Sequence, residues 1–213
     1  MPSKKEVQRL AKIIELLKKE YPKIKIQLDH KNPFELLIAT MLSAQCTDAR
    51  VNIVTKDLFK KYKSPKDYLK VTQTELGQDI FSTGFYNSKS KNIQACCKQL
   101  LEKHNGEVPE DFELLAELSG VGRKTASVVA GNAFGIPAIA VDTHVIRLMN
   151  LLGFVKTKDA KKIELILKEL LPKDDWVNFT HYIISHGRKV CIARRPQCFE
   201  CSIIDYCPSK IIK

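Results

Sequence analysis

The chain has 213 residues, 44% of them hydrophobic, enough for one large domain or two small ones around a packed core, and it does not read as disordered. No run approaches the roughly 18 consecutive apolar residues that span a bilayer, and the N-terminal MPSKKEVQRL lacks the apolar core of a secretion signal, so a membrane role is excluded and a cytoplasmic location is expected. Lys and Arg number 35 against 24 Asp and Glu, a net charge of +11 that favours a polyanionic partner, although lysine-rich helix faces (Lys4, Lys5, Lys12, Lys18, Lys19) serve solubility equally well.

In chain order the pattern is almost entirely helical. Val7, Leu10, Ile14 and Leu17, with Ile13 alongside, form the apolar stripe of a first helix. Residues 24–28 favour a strand but have no partner, so no sheet is expected. Asn32, Pro33 and Glu35 supply an N-cap, a first-turn proline and a capping acid for a helix whose residues 34–42 are apolar nearly all round, which predicts a central, buried element. Ser64-Pro65 repeats the start signal. Asn87-Ser88 opens a helix to about His104, which Asn105-Gly106 ends. Further helices are predicted at 110–118, 123–132, 143–152, 159–171 and 174–187. No linker, repeat or low-complexity stretch divides the chain, so the pattern alone predicts one compact all-α unit.

The stretch Leu118-Ser119-Gly120-Val121-Gly122-Arg123-Lys124-Thr125-Ala126 reads as a helix end, a two-glycine turn and the first turn of a new helix. Both glycines can take positive φ without a Cβ clash, so the backbone can turn sharply and show successive N–H groups at a helix N-terminus, a corner that attracts phosphate. Lys124 follows, and Asp142 stands at the N-cap of a later apolar run through Val145, Leu148, Met149 and Leu152. Taken singly, such a lysine is usually a solvated charge and such an aspartate usually only a cap. Together with the hairpin they are the parts of an amine nucleophile and a charge stabiliser.

Cys191, Cys198, Cys201 and Cys207 have the spacing C-x6-C-x2-C-x5-C, which in one irregular segment points to a metal site rather than disulfides. Spacing leaves zinc and iron–sulfur both open, since only Cys198 and Cys201 form a close pair. Arg194 and Arg195, enclosed between the first two cysteines, are candidate phosphate contacts. Cys46, Cys96 and Cys97 lack ligand-like spacing and are expected to be small fillers.

The block LSGVGRKTA…AIAVDTHVIR, together with Pro33 to Ala39, LSAQ at Leu42 to Gln45, YNSK at Tyr86 to Lys89, Asn105 to Glu110 and the four C-terminal cysteines, closely resembles the endonuclease III family of helix-hairpin-helix DNA glycosylases over nearly the whole chain. The resemblance implies two helical lobes: a six-helix barrel at about 27–136, and a second lobe from 1–26 and 137–213, with Lys124 and Asp142 facing one another across the cleft. It implies a bifunctional glycosylase and abasic-site lyase of base excision repair that removes oxidised pyrimidines from duplex DNA. Lys124 would form the Schiff base, its proton loss assisted by partial desolvation and Arg123, and Asp142 would be the carboxylate. A 4Fe–4S cluster would sit on the four cysteines and shape a DNA-binding loop. Gln45 and Phe85 would be wedges that fill the gap left by a flipped nucleotide. Gly120, Val121, Gly122 and Arg123 would grip a phosphate, with a monovalent cation admissible on the hairpin carbonyls. Asn87, Ser88, Lys89, His144 and Arg147 would add phosphate contacts. The expected partner is damaged double-stranded DNA, bound by a monomer on the nucleoid. Phe85 stands where bacterial relatives commonly have leucine, and Ser119 where the family hairpin usually has proline. Two other readings are an adenine-removing relative, which typically lacks a lysine at this position, and a non-catalytic helix-hairpin-helix redox protein.

Overall fold

The computed structural model describes residues 2–211, and every regular element among them is helical. Helix α1 (Lys4–Glu20) starts on a reciprocal capping box: the Glu6 N–H donates to Ser3 Oγ at 3.2 Å, and the Ser3 N–H donates to Glu6 Oε2 at 2.8 Å. The predicted Asn32 cap is present on α2 (Pro33–Leu42), where Asn32 Oδ1 accepts from the Glu35 N–H at 2.8 Å. Helices α3 (Asp48–Lys61) and α5 (Gln73–Asp79) open on Thr47 and Thr72, each accepting from the N–H three residues on. The sequence pattern did not single out either start. Between them lies the short α4 (Pro65–Leu69), and then α6 (Tyr86–Lys103), α7 (Phe112–Ala116), α8 (Arg123–Phe134), α9 (Thr143–Leu151), α10 (Ala160–Leu170) and α11 (Trp176–Lys189). Helix α6 begins before the predicted Asn87, because Phe85 serves as its N-cap.

The chain divides into two compact units, Met1–Lys25 with Pro137–Lys213, and Ile26–Ile136, which corrects the single unit read from the absence of a linker. The reason is non-local. Helix α1 packs on α10 and α11 at the far end of the chain, so no local composition change marks either crossing.

In the Ile26–Ile136 unit, α2 is the central element and packs on α3, α6 and α8. All seven residues from Leu36 to Leu42 are buried, so this helix has almost no solvent face. Each fully buried Leu or Ile contributes about 1.5–3 kcal/mol of apolar transfer. In the other unit, Leu10, Ile13 and Leu17 of α1 join Leu148, Ile163, Leu167, Phe179 and Ile183 in a second core. Arg9 pins the C-terminal segment to this core. Its Nη1 donates to the Leu152 and Tyr206 carbonyls at 2.8 and 2.9 Å, and its guanidinium lies 3.9 Å from the Phe154 ring centroid.

Leu37→Ala should destabilise the protein by about 2–5 kcal/mol through a cavity in the α2 core, read as a lower midpoint in chemical denaturation with an unchanged m value.

Candidate nucleic-acid interface

The turn between α7 and α8 is built around one glycine. Gly120 has φ +75°, and a Cβ there would stand 2.7 Å from Asn92 Cβ and 3.0 Å from Met41 Cε, so both the dihedral and the space require glycine. Val121 plugs into the core at 4% exposure, and its N–H closes on the Leu118 carbonyl at 3.0 Å. The Ser119 N–H donates to Gln99 Oε1 at 2.6 Å, a bond that proline could not make. Met41, Asn92 and Gln99 thus hold the hairpin from other helices, and no local sequence signal marks them for that task.

Gly122 differs from the expectation. Its φ of −87° and ψ of 173° are extended backbone open to any residue, and a Cβ would point into open space. As N-cap of α8 it brings no side chain to that helix end, and no side-chain hydrogen bond caps it. The N-terminus of α8 therefore presents its partial positive charge outward. Arg123 stacks its guanidinium 4.9 Å from the Phe112 ring centroid. Lys124 is exposed in the first turn of α8. Asp142, in the other unit, occupies the N-cap of α9 as predicted, its Oδ1 accepting from the Val145 N–H at 2.8 Å.

Gln45 and Phe85 share a backbone oddity. With Asn105 they are the non-glycine residues of positive φ among the described residues, at 53° and 51°, an uncommon region for bulky side chains. Phe85 is 63% exposed and so is no part of the core. Both line one pocket of about 210 Å³ with Met41, Ala44, Ser88, Lys89, Asn92 and Gly120. Asn87 and Ser88 are exposed in the first turn of α6.

Lys89 does not match its predicted role as a phosphate contact. It is 7% exposed, and its Nζ donates to the Leu42 and Thr83 carbonyls, both at 2.8 Å. On α6 it lies one turn past the N-cap and faces α2, so the ammonium is turned inward. Burial lowers its pKa from the ordinary lysine value.

Arg147 and His144 are half-buried on α9. Arg147 donates to the Gly187 carbonyl at 3.2 Å and to Cys191 Sγ at 3.6 Å, and its Nη2 lies 3.4 Å from His144 Nδ1. Its guanidinium therefore ties the cysteine segment to α9 and α11. The four cysteines, all half-buried, line one cavity of about 320 Å³. Burial raises the Cys201 thiol to about 11, and His186 Nε2 lies 3.5 Å from its Sγ. Arg194 and Arg195 are exposed in the intervening loop. Cys96 and Cys97 are fully buried fillers as expected, Cys96 raised to about 12 by burial.

Residues 38–173 match the model of the HhH-GPD superfamily base excision DNA repair protein. The chain is 49% identical to endonuclease III of Synechocystis sp. over 98% of its own length and 95% of that protein's. It is 52% identical to endonuclease III of Bacillus subtilis over 88% and 86%, and 44% identical to that of Escherichia coli over 93% and 94%. Among solved structures, a non-covalent endonuclease III–DNA complex superposes with a TM-score of 0.92 at 48% identity, covering 98% of this chain and 97% of that one. A trapped endonuclease III–DNA covalent intermediate matches with the same score, identity and coverage.

The two hairpin glycines should separate in a stability assay. Gly120→Ala should destabilise by at least about 1–3 kcal/mol through strain at positive φ, whereas Gly122→Ala should stay within about 0.5 kcal/mol of the parent, both read by thermal unfolding.

Proposed function

The chain belongs to the endonuclease III family within the HhH-GPD superfamily of base excision DNA repair proteins, bifunctional DNA glycosylases with abasic-site lyase activity, and from that premise we propose that Lys124 is its nucleophile and Asp142 its charge-stabilising carboxylate. Breaking an N-glycosidic bond places positive charge on the sugar, which a carboxylate stabilises while an amine traps the anomeric carbon. The neutral Lys124 amine attacks C1′, the base departs with the bonding electron pair and takes up a proton, and opening of the sugar ring gives a protonated Schiff base. This iminium acidifies the adjacent sugar proton, and loss of that proton expels the 3′ phosphate by β-elimination. The observation that carries the assignment is Lys124 itself: an exposed amine in the first turn of α8, directly after the glycine hairpin, in a chain 48% identical to an endonuclease III trapped as a covalent DNA intermediate.

The substrate class is oxidised pyrimidine in duplex DNA. Gly120, Val121, Gly122 and Arg123 hold a phosphate at the uncapped start of α8, where the missing Cβ of Gly122 lets the backbone approach it. Gln45 and Phe85 are the wedges, and their exposed left-handed conformations are the kind of strain that clusters at functional sites. Asn87 and Ser88 add contacts from the start of α6. No helix among the described residues is long and apolar enough to cross a membrane, and we place the protein in the cytoplasm on the nucleoid.

Cys191, Cys198, Cys201 and Cys207 would hold a 4Fe–4S cluster. The donor set fits: four thiols, all half-buried, line one cavity. Four thiolates suit zinc and an iron–sulfur cluster alike, and it is the likeness to the endonuclease III family that favours the cluster. When bound, the cluster supplies a covalent staple for a segment with little core of its own. Arg194 and Arg195 are then presented as phosphate contacts.

Lys124→Ala should abolish both the borohydride-trapped protein–DNA adduct and strand cleavage on a thymine-glycol duplex, and an adduct formed by that variant would reassign the nucleophile. Asp142→Asn should lower the single-turnover glycosylase rate by about 10²–10³-fold with DNA affinity largely retained. Arg195→Glu should weaken duplex binding and reduce the slope of log K against log salt by about 0.9 for each phosphate no longer neutralised; an unchanged slope would remove this loop from the interface.

A further inference from the structure

We propose that Lys89 is a positioning residue that braces the two wedge loops against each other, so that it governs extrusion of the target nucleotide rather than cleavage of its glycosidic bond. The inference rests on the reading of Gln45 and Phe85 as wedges. Leu42 is the last residue of α2, and Gln45 follows three residues later; Thr83 ends the 3-10 turn Phe81–Thr83, and Phe85 follows two residues later. The Lys89 ammonium donates to the carbonyls of both Leu42 and Thr83 at 2.8 Å. One buried cation therefore joins the roots of the two loops whose tips are held at positive φ.

The brace is short and stiff. Both acceptors sit at helix C-termini, where carbonyl dipoles favour a cation, and hydrogen bonds to a charged donor are the strong ones. Lys89 is 7% exposed, so water does not compete for the ammonium, and without it two carbonyls would be left unpaired beneath the surface. The pocket of about 210 Å³ above it is lined by Gln45 and Phe85 on the loops and by Gly120 of the hairpin, so the brace also sets the spacing between the wedges and the phosphate-binding turn. A wedge acts only if it is stiffer than the base stack it displaces. Loosening the roots should therefore be felt where a base must be extruded from a duplex and little elsewhere.

The test compares two substrates under single-turnover conditions, a thymine-glycol duplex and a single-stranded oligonucleotide with an abasic site, the second needing no extrusion from a stack. Lys89→Met should slow duplex cleavage by on the order of 10- to 100-fold, the scale of one or two hydrogen bonds to a charged group, while the single-stranded abasic reaction changes less than about threefold. 2-Aminopurine placed opposite the lesion should show a matching loss of the unstacking signal. Lys89→Gln, which keeps one donor, should be intermediate, and it carries the same comparison if the Met variant does not fold. Equal losses on both substrates would make Lys89 merely a stabilising residue, and an unchanged duplex rate would show that the wedges need no brace. Inactivity of the parent protein on both substrates would instead overturn the glycosylase reading itself.

Discussion

Asn92 and Met41 crowd the backbone of Gly120 so closely, 2.7 and 3.0 Å from where a Cβ would stand, that the turn into α8 can be made only by glycine in a left-handed conformation. From that contact follows the rest of the hairpin. Val121 is driven into the core, Gly122 is left facing outward, and Lys124 falls in the exposed first turn of α8. The rigid side of the contact is supplied by α2 and α6, elements that carry no hairpin residue themselves. A buried α2 therefore serves the chemistry indirectly: seven buried residues in a row leave it little freedom to shift under the turn.

The loops that carry Gln45 and Phe85, proposed as wedges, depend on the same two helices. Gln45 lies just beyond the end of α2 and Phe85 caps α6, each in a backbone region that bulky residues seldom adopt. Such conformations persist only where the surroundings over-determine them. On the proposal above, the Lys89 ammonium and the Leu42 and Thr83 carbonyls it binds provide that determination.

Much of this was legible in the sequence where the signal is local. Asn32, Pro33 and Glu35 marked α2, the apolar run after them marked its burial, and Asp142 marked the start of α9, because capping needs only neighbours three residues away. Signals that depend on tertiary packing were not legible. Lys89 was expected as a phosphate contact through the family resemblance, and only the position of α2 shows that its ammonium turns inward. Gly120 and Gly122 looked equivalent, and only the neighbours of the first distinguish them. The two-unit division was hidden from the local pattern and came only with the family resemblance, because α1 completes a core whose other members begin more than a hundred residues later.

The four cysteines were legible as a set and not as a geometry, since spacing cannot give the cavity they line. For the chemistry, the most direct test locates the covalent bond itself. Protein turning over a thymine-glycol duplex is reduced with borohydride, digested and mapped by mass spectrometry. The sugar remnant is expected on the peptide containing Lys124. A remnant on any other lysine or on the N-terminal amine, with Lys124 unmodified, would contradict the assignment of Lys124 as the nucleophile.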